Sequence, residues 1–153
     1  MKKLLPLLFF IPLVVQAQSS NTEKIFNSAN CLISVMETFA NDSLVSAYVI
    51  FDAKDDRLPT LKNYFTLCYD TPQNVYKFLT ELEMFVADVN ASPEHIDRHK
   101  VEIDKSAGTR MVRVYDEREL IFHRFTPKTI TAIKTGLNEW ALKHNIKLEL
   151  HGE

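Results

Sequence analysis

The chain has 153 residues, of which 46% are hydrophobic and 25% charged, and its formal net charge at pH 7 is −2. These values are ordinary for a soluble globular domain and argue against disordered, collagen-like and coiled-coil proteins. A mildly acidic chain also lacks the positive surface that nucleic acids and anionic membranes attract, so we expect no nucleic-acid partner.

The first 17 residues have the layout of a secretory signal peptide. Lys2 and Lys3 precede an apolar run over 4–15, and Val15 and Ala17 occupy the small-residue positions of a cleavage site. The run is shorter than the roughly twenty apolar residues that cross a bilayer. We therefore expect cleavage, export to the periplasm or beyond the cell, and no membrane insertion of the mature chain. That chain keeps 16 of the 18 basic residues and all 20 acidic ones, which gives a charge of about −4.

The first half of the mature chain is predicted to contain one helix and two strands. Ser20 and Glu23 form a capping-box pattern, and apolar residues follow at helical spacing, which predicts a helix over 21–41. The segments 44–51 and 64–69 are rich in β-branched and aromatic residues and predict strands. We expect these two strands to pair as a hairpin.

Threonine-proline pairs mark the starts of two further helices. Thr71-Pro72 and Thr126-Pro127 predict helices that end near residues 90 and 145, because a capping residue followed by proline favours helix initiation. Gly136 in the last helix is best explained by a tight contact with the sheet or by simple tolerance. The remaining pattern predicts one further turn over 92–99. It also predicts four short strands, over 101–104, 110–115, 120–125 and 146–150.

The predicted elements form one α+β domain over residues 18–153. About three helices would pack on one face of a mainly antiparallel sheet of five to six strands, which makes a single pair of layers. The three short strands before the last helix would form an antiparallel meander.

Two cysteines, Cys31 and Cys68, predict a disulfide in an oxidising compartment. Helical spacing places Cys31 with Ser34 and Thr38, away from the predicted apolar stripe, so the bridge requires the second strand or a loop to cover that flank. A redox role is disfavoured because the chain has neither a Cys-x-x-Cys pair nor a basic residue beside either thiol.

Two histidines are weak candidates for a metal site. His95 and His99 are four residues apart and would share one face of the predicted turn, as zinc-binding histidine pairs do. A solvated polar turn is the simpler interpretation, since no metalloprotease pattern is present. Spacing does not choose a third ligand among Asp97, Asp104, His123 and His144.

Three aspartates follow the first predicted strand. Asp52, Asp55 and Asp56 suit a divalent cation or acid–base catalysis, and Asp52 is also a candidate metal ligand. Lys54 and Arg57 interrupt the acidity, and a hairpin loop is expected to be polar whatever its role. Calcium-loop spacing is absent from the sequence.

A mixed charge cluster occupies the predicted meander. If its strands pair, opposite charges face each other across the sheet, and exposed Tyr115 and His123 would favour a polar docking surface. The cluster consists of Arg110, Arg113, Asp116, Glu117, Arg118, Glu119 and Arg124.

Clear core patterns without a coherent catalytic motif favour a small exported, non-catalytic binding or structural domain. The expected partners are another envelope or secreted protein, a peptide or a glycan. No nucleophile elbow is present, and three scattered glycines exclude a phosphate-binding loop, so we expect no cofactor. The alternative is a divalent-metal or acid–base hydrolase that combines Asp52, Asp55 or Asp56 with His95, His99 or His123.

Overall fold

The computed structural model of the protein describes residues 18–58, 60, 63–105 and 108–149, and the predicted signal peptide lies outside them. These residues contain eight strands and two helices. The elements are β1 (Gln18–Asn27), β2 (Cys31–Ala40), β3 (Ser43–Lys54), β4 (Tyr64–Asp70), α1 (Pro72–Ala87), β5 (Glu94–Ile96), β6 (His99–Asp104), β7 (Met111–Tyr115), β8 (Phe122–Phe125) and α2 (Pro127–Lys143).

The described chain repeats one unit, a four-stranded antiparallel meander followed by a helix. The first sheet has the order β1-β2-β3-β4 and the second the order β5-β6-β7-β8. In both halves a threonine, Thr71 or Thr126, separates the last strand from the helix, and proline is the first helical residue. The threonine hydroxyl accepts a hydrogen bond from the backbone N–H of the third helical residue. The α+β class is confirmed, but the single sheet of five to six strands and the third helix are wrong.

The helix predicted over 21–41 is a hairpin of β1 and β2. Cys31, Ile33 and Val35 alternate with less buried neighbours, which is the period of a strand. Two features make this alternation hard to recognise in the sequence. Glu37 faces the core although it is charged, and a bulge interrupts β1 at Ile25.

Predicted boundaries elsewhere are close to the observed ones, with two exceptions. The β3–β4 hairpin, both proline-initiated helices and the meander before α2 are confirmed. The turn predicted over 92–99 is instead the hairpin of β5 and β6. Residues 146–149 form no strand, although Ile146 and Leu148 pack against the core. The rest of that predicted strand, residue 150, lies outside the described residues.

Gly136 lets α2 lie directly against β1. A Cβ atom at this position would overlap the carbonyl oxygen of Ile25 and come within 3.2 Å of its carbonyl carbon. Ile25 is the bulged residue of β1, so the bulge turns its carbonyl toward the helix. The tight helix-to-sheet contact is therefore the reason for glycine here.

The predicted Cys31–Cys68 disulfide is wrong, because both thiols are free and buried. Cys31 pairs with Ala53 on one side of β3, and Cys68 pairs with Phe51 on the other. Strands in a sheet are about 4.8 Å apart, so the two cysteine Cα atoms lie at least roughly 10 Å apart, whereas a disulfide requires about 7 Å or less.

Candidate functional site

The outer face of the first sheet carries no described helix, since both helices pack on its other face. We call this surface the tyrosine face. Strand pairing arranges it in five cross-strand rows, which are Ser20, Thr38 and Ser46; Thr22, Met36 and Tyr48; Lys24, Ser34, Ile50 and Tyr69; Asn27, Leu32, Asp52 and Thr66; and Lys54 and Tyr64.

Two stacked tyrosines project from the middle of the tyrosine face. The rings of Tyr48 and Tyr69 are nearly parallel, with 6° between their planes and 5.2 Å between their centroids. Their exposed fractions are 39% and 48%, which is high for large aromatic side chains. Asp52 is held beside them by the Thr66 hydroxyl, which donates to its Oδ1 at 2.7 Å. The rows thus combine aromatic surface, hydroxyl groups and only three charged side chains, Lys24, Asp52 and Lys54.

The three predicted loop aspartates diverge. Asp52 lies on the tyrosine face, whereas Asp55 is buried and accepts hydrogen bonds from the backbone N–H, Nε and Nη2 of Arg57. These side-chain hydrogen bonds, helped by the charge of Arg57 and opposed by burial, hold the pKa of Asp55 below its usual value. Asp55 therefore stabilises the loop.

Asp56 is the loop aspartate that meets a predicted partner. Its Oδ2 lies 3.3 Å from Nδ1 of His123 and accepts the backbone N–H of Arg124 at 2.7 Å. Burial raises the pKa of Asp56, but these two neighbours more than offset it, so the pKa lies below the ordinary value. His123 Nδ1 also lies 2.8 Å from the carbonyl oxygen of Lys54, which fixes the ring against the end of β3.

A cleft of about 500 Å³ borders this pair and is also lined by Cys31 and Thr126. Burial, with a smaller contribution from the charge of Asp52, raises the pKa of Cys31 to about 12. The thiol is therefore protonated near neutral pH and is a poor nucleophile.

His95 and His99 do not converge on one site. They lie on opposite faces of the β5–β6 hairpin, where His95 is exposed and its Nε2 lies 3.4 Å from Glu119. His99 is buried, with Nδ1 2.9 Å from the carbonyl oxygen of Tyr115 and its ring against Phe78. The predicted turn would have placed both histidines on one face, but the hairpin places them on opposite faces, so they cannot bind one ion together.

The charge cluster on the second sheet forms cross-strand ion pairs. Asp104 is buried and accepts hydrogen bonds from Nε of Arg113 at 2.8 Å and Nε of Arg124 at 2.6 Å. Both guanidinium groups also lie over the ring of Phe122. Because His123 is buried, it is not available to the docking surface considered above.

Glu37, which belongs to no motif in the sequence, is a buried carboxylate that is 1% exposed. Nε1 of Trp140 donates to its Oε1 at 2.7 Å, Asn21 donates to its Oε2 at 2.8 Å, and His144 Nε2 lies 2.9 Å from Oε1. Burial raises the pKa of Glu37, but these hydrogen bonds and the charge of His144 outweigh it and lower the pKa. The sequence carried one sign of this cluster: Trp140 and His144 are four residues apart at the end of α2, so their side chains lie on one side of the helix.

Comparisons with known proteins give no relative. The chain matches no known family model, and no curated protein or solved structure is significantly similar to it. Within the described residues, none of the helices is long and apolar enough to cross a membrane.

Proposed function

We propose that this protein is a small exported, non-catalytic binding domain that binds a neutral glycan on its tyrosine face. The observation that carries the proposal is the stacked, exposed pair of Tyr48 and Tyr69 on a sheet face that the described helices leave uncovered. Export rests on the signal-peptide pattern of residues 1–17.

The chemistry of the tyrosine face fits a sugar chain. A neutral glycan presents C–H groups and hydroxyl groups, so it needs aromatic surface together with hydrogen-bonding partners. Tyrosine supplies both, because its ring is apolar and its hydroxyl is polar. Four strands about 4.8 Å apart give a face roughly 14 Å wide, which is an extended surface rather than a deep pocket.

The composition of this face favours a glycan over a protein partner. It presents the exposed hydroxyl groups of Thr22 and Thr66, and its rows contain no arginine or tryptophan, which together with tyrosine are the side chains most enriched at the energetic centres of protein interfaces. Two lysines, Lys24 and Lys54, and one aspartate, Asp52, give this face a formal charge of only +1, which would not select a strongly charged polymer.

The test is cosedimentation of the mature chain with insoluble neutral polysaccharides, namely chitin, cellulose and starch. We expect at least one of them to retain the protein. Tyr48→Ala and Tyr69→Ala should each weaken the apparent Kd by tenfold or more, because each removes an exposed ring that contacts the ligand.

Met84→Ala is the matched control, since Met84 is 67% exposed on α1 and lies outside the tyrosine face. This variant should bind as the unmodified chain does. Absence of binding to every polysaccharide, or equal binding by the tyrosine variants, would contradict the proposal.

A further inference from the structure

We propose that Glu23, Glu37 and His144 form a zinc site between the first sheet and the end of α2. In the part of the chain that the structure describes, these residues are the one group of three or more potential ligands whose donor atoms all lie within 4.8 Å of one another. Two carboxylate oxygens and one imidazole nitrogen suit Zn²⁺, which accepts three protein ligands and leaves a fourth position for water.

The contact between His144 and Glu37 has the geometry of two ligands of one ion. Nε2 of His144 is buried and lies 2.9 Å from Oε1 of Glu37, yet the two atoms are not aligned for a hydrogen bond. In a tetrahedral zinc site with bonds of 2.0–2.1 Å, neighbouring ligand atoms are roughly 3.3 Å apart. The separation is therefore close to that of two ligands whose lone pairs point to a shared cation.

Neighbouring side chains already orient the central ligand. Trp140 Nε1 and Asn21 Nδ2 each donate to one oxygen of Glu37, which fixes the carboxylate before any ion binds. Hydrogen bonds of this kind to a ligand commonly set its orientation and raise metal affinity. Each carboxylate oxygen has a second lone pair, so these bonds leave Glu37 able to coordinate.

The charges around the site also favour a cation. Glu23 and Glu37 supply two carboxylates, and His144 caps the C-terminal end of α2, where the helix dipole is negative. Lys143 Nζ lies 2.5 Å from Glu23 and supplies positive charge. Because the side chain of Lys143 is 60% exposed, it can turn into solvent when a divalent ion binds.

This site is independent of the proposed glycan surface. Asn21, Glu23 and Glu37 are on the opposite face of the first sheet from Tyr48 and Tyr69. Zinc would connect β1, β2 and the C-terminal end of α2. Failure to bind zinc would not contradict the glycan proposal, and failure to bind a glycan would not contradict the zinc proposal.

The experiment uses the mature chain without a histidine tag, stripped of metal and titrated with ZnCl₂ by calorimetry and with CoCl₂ by visible absorption. We expect one Zn²⁺ per chain, a higher Tm with zinc, and the absorption of tetrahedral Co²⁺. Trp140 is the only tryptophan in the sequence, so Co²⁺ should also quench the intrinsic fluorescence.

Two variants and two matched controls make the test specific. Glu23→Gln and His144→Ala should each weaken zinc binding at least tenfold, and Glu23 is partly exposed, so its variant should fold even if His144→Ala does not. Glu139→Gln, an exposed carboxyl on α2, and His95→Ala, an exposed histidine, should bind zinc normally. Absence of stoichiometric zinc, unchanged binding by folded Glu23→Gln, or loss of binding in His95→Ala would overturn the proposal.

Discussion

Cys31 and Cys68 are the residues whose chemistry the fold changes most. Burial raises their pKa values to about 12 and about 11, so both thiols are protonated at neutral pH. Their placement on either side of β3 also keeps the two sulfur atoms from forming a bridge. Compartment and cysteine count favour a disulfide, but strand order decides the outcome.

We therefore expect no thiol of the native protein to react with Ellman's reagent at pH 8. After denaturation without reductant, two thiols per chain should react, since the unfolded pKa returns to about 8.5. A reduced and denatured sample supplies the reference value of two. Detection of no thiols in the denatured, unreduced sample would mean that a disulfide exists and that the described strand order is incorrect.

Asp55 should contribute to the pH dependence of stability. Its hydrogen bonds with Arg57 lower its folded pKa below the unfolded value of about 3.9, so this contribution is complete above that pH and is lost on acidification.

Asp55→Asn should reduce the free energy of unfolding at pH 7, and the difference from the unmodified chain should shrink below about pH 4. Urea unfolding at a series of pH values measures it. Asp42→Asn, at an exposed turn between β2 and β3, controls for the change in net charge. A difference that is constant from pH 7 to pH 3 would show that Asp55 does not act through its charge.

At the scale of elements, local signals located both helices and most of the strands after β2. Threonine-proline caps located both helices, and β-branched or aromatic runs located β3 and β4. The segment over 21–41 failed because its bulge at Ile25 and its core-facing Glu37 both break the two-residue alternation of a strand.

The β2–β3 connection carried a second local signal. Asn41 and Asp42 have φ values of 50° and 59°, and they connect the two strands in a two-residue turn. Asparagine and aspartate tolerate positive φ, which hairpin turns of this length require. Interpreting this pair as the end of a helix removed two strands from the predicted fold.

Gly136→Ala tests how closely α2 approaches β1. Alanine favours a helix by about 1 kcal/mol over glycine, but overlap with a backbone carbonyl should cost more, in the range of about 1–3 kcal/mol for an overpacked site. Because the overlap is with a backbone atom at 2.3 Å, the cost lies at the upper end of this range, and we expect a net loss of about 2 kcal/mol in urea unfolding.

The matched variant on the same helix is Glu139→Ala, which changes an exposed side chain and should alter stability by less than about 0.5 kcal/mol. If Gly136→Ala were as stable as the unmodified chain, the close approach of α2 to Ile25 would be disproved.

At the scale of the whole molecule, neither candidate site was accessible to sequence reasoning. The tyrosine face exists only because β1 and β2 are strands. Met36 and Ser34 of β2 then extend the surface from the tyrosines toward β1. Of the predicted hydrolase residues, Asp56 and His123 were brought together, but the other aspartates and histidines lie elsewhere.

Pairing of the first strand with the last helix has a consequence for when this chain can fold. Trp140 contacts Glu37 from 103 positions away, and Lys143 contacts Glu23 from 120 positions away. The part of the first sheet that α2 covers thus stays open until the C-terminal segment arrives, which delays completion of the fold relative to synthesis. A chain threaded lengthwise through a translocation channel would benefit from this delay, because it would remain extended until nearly all of it had passed.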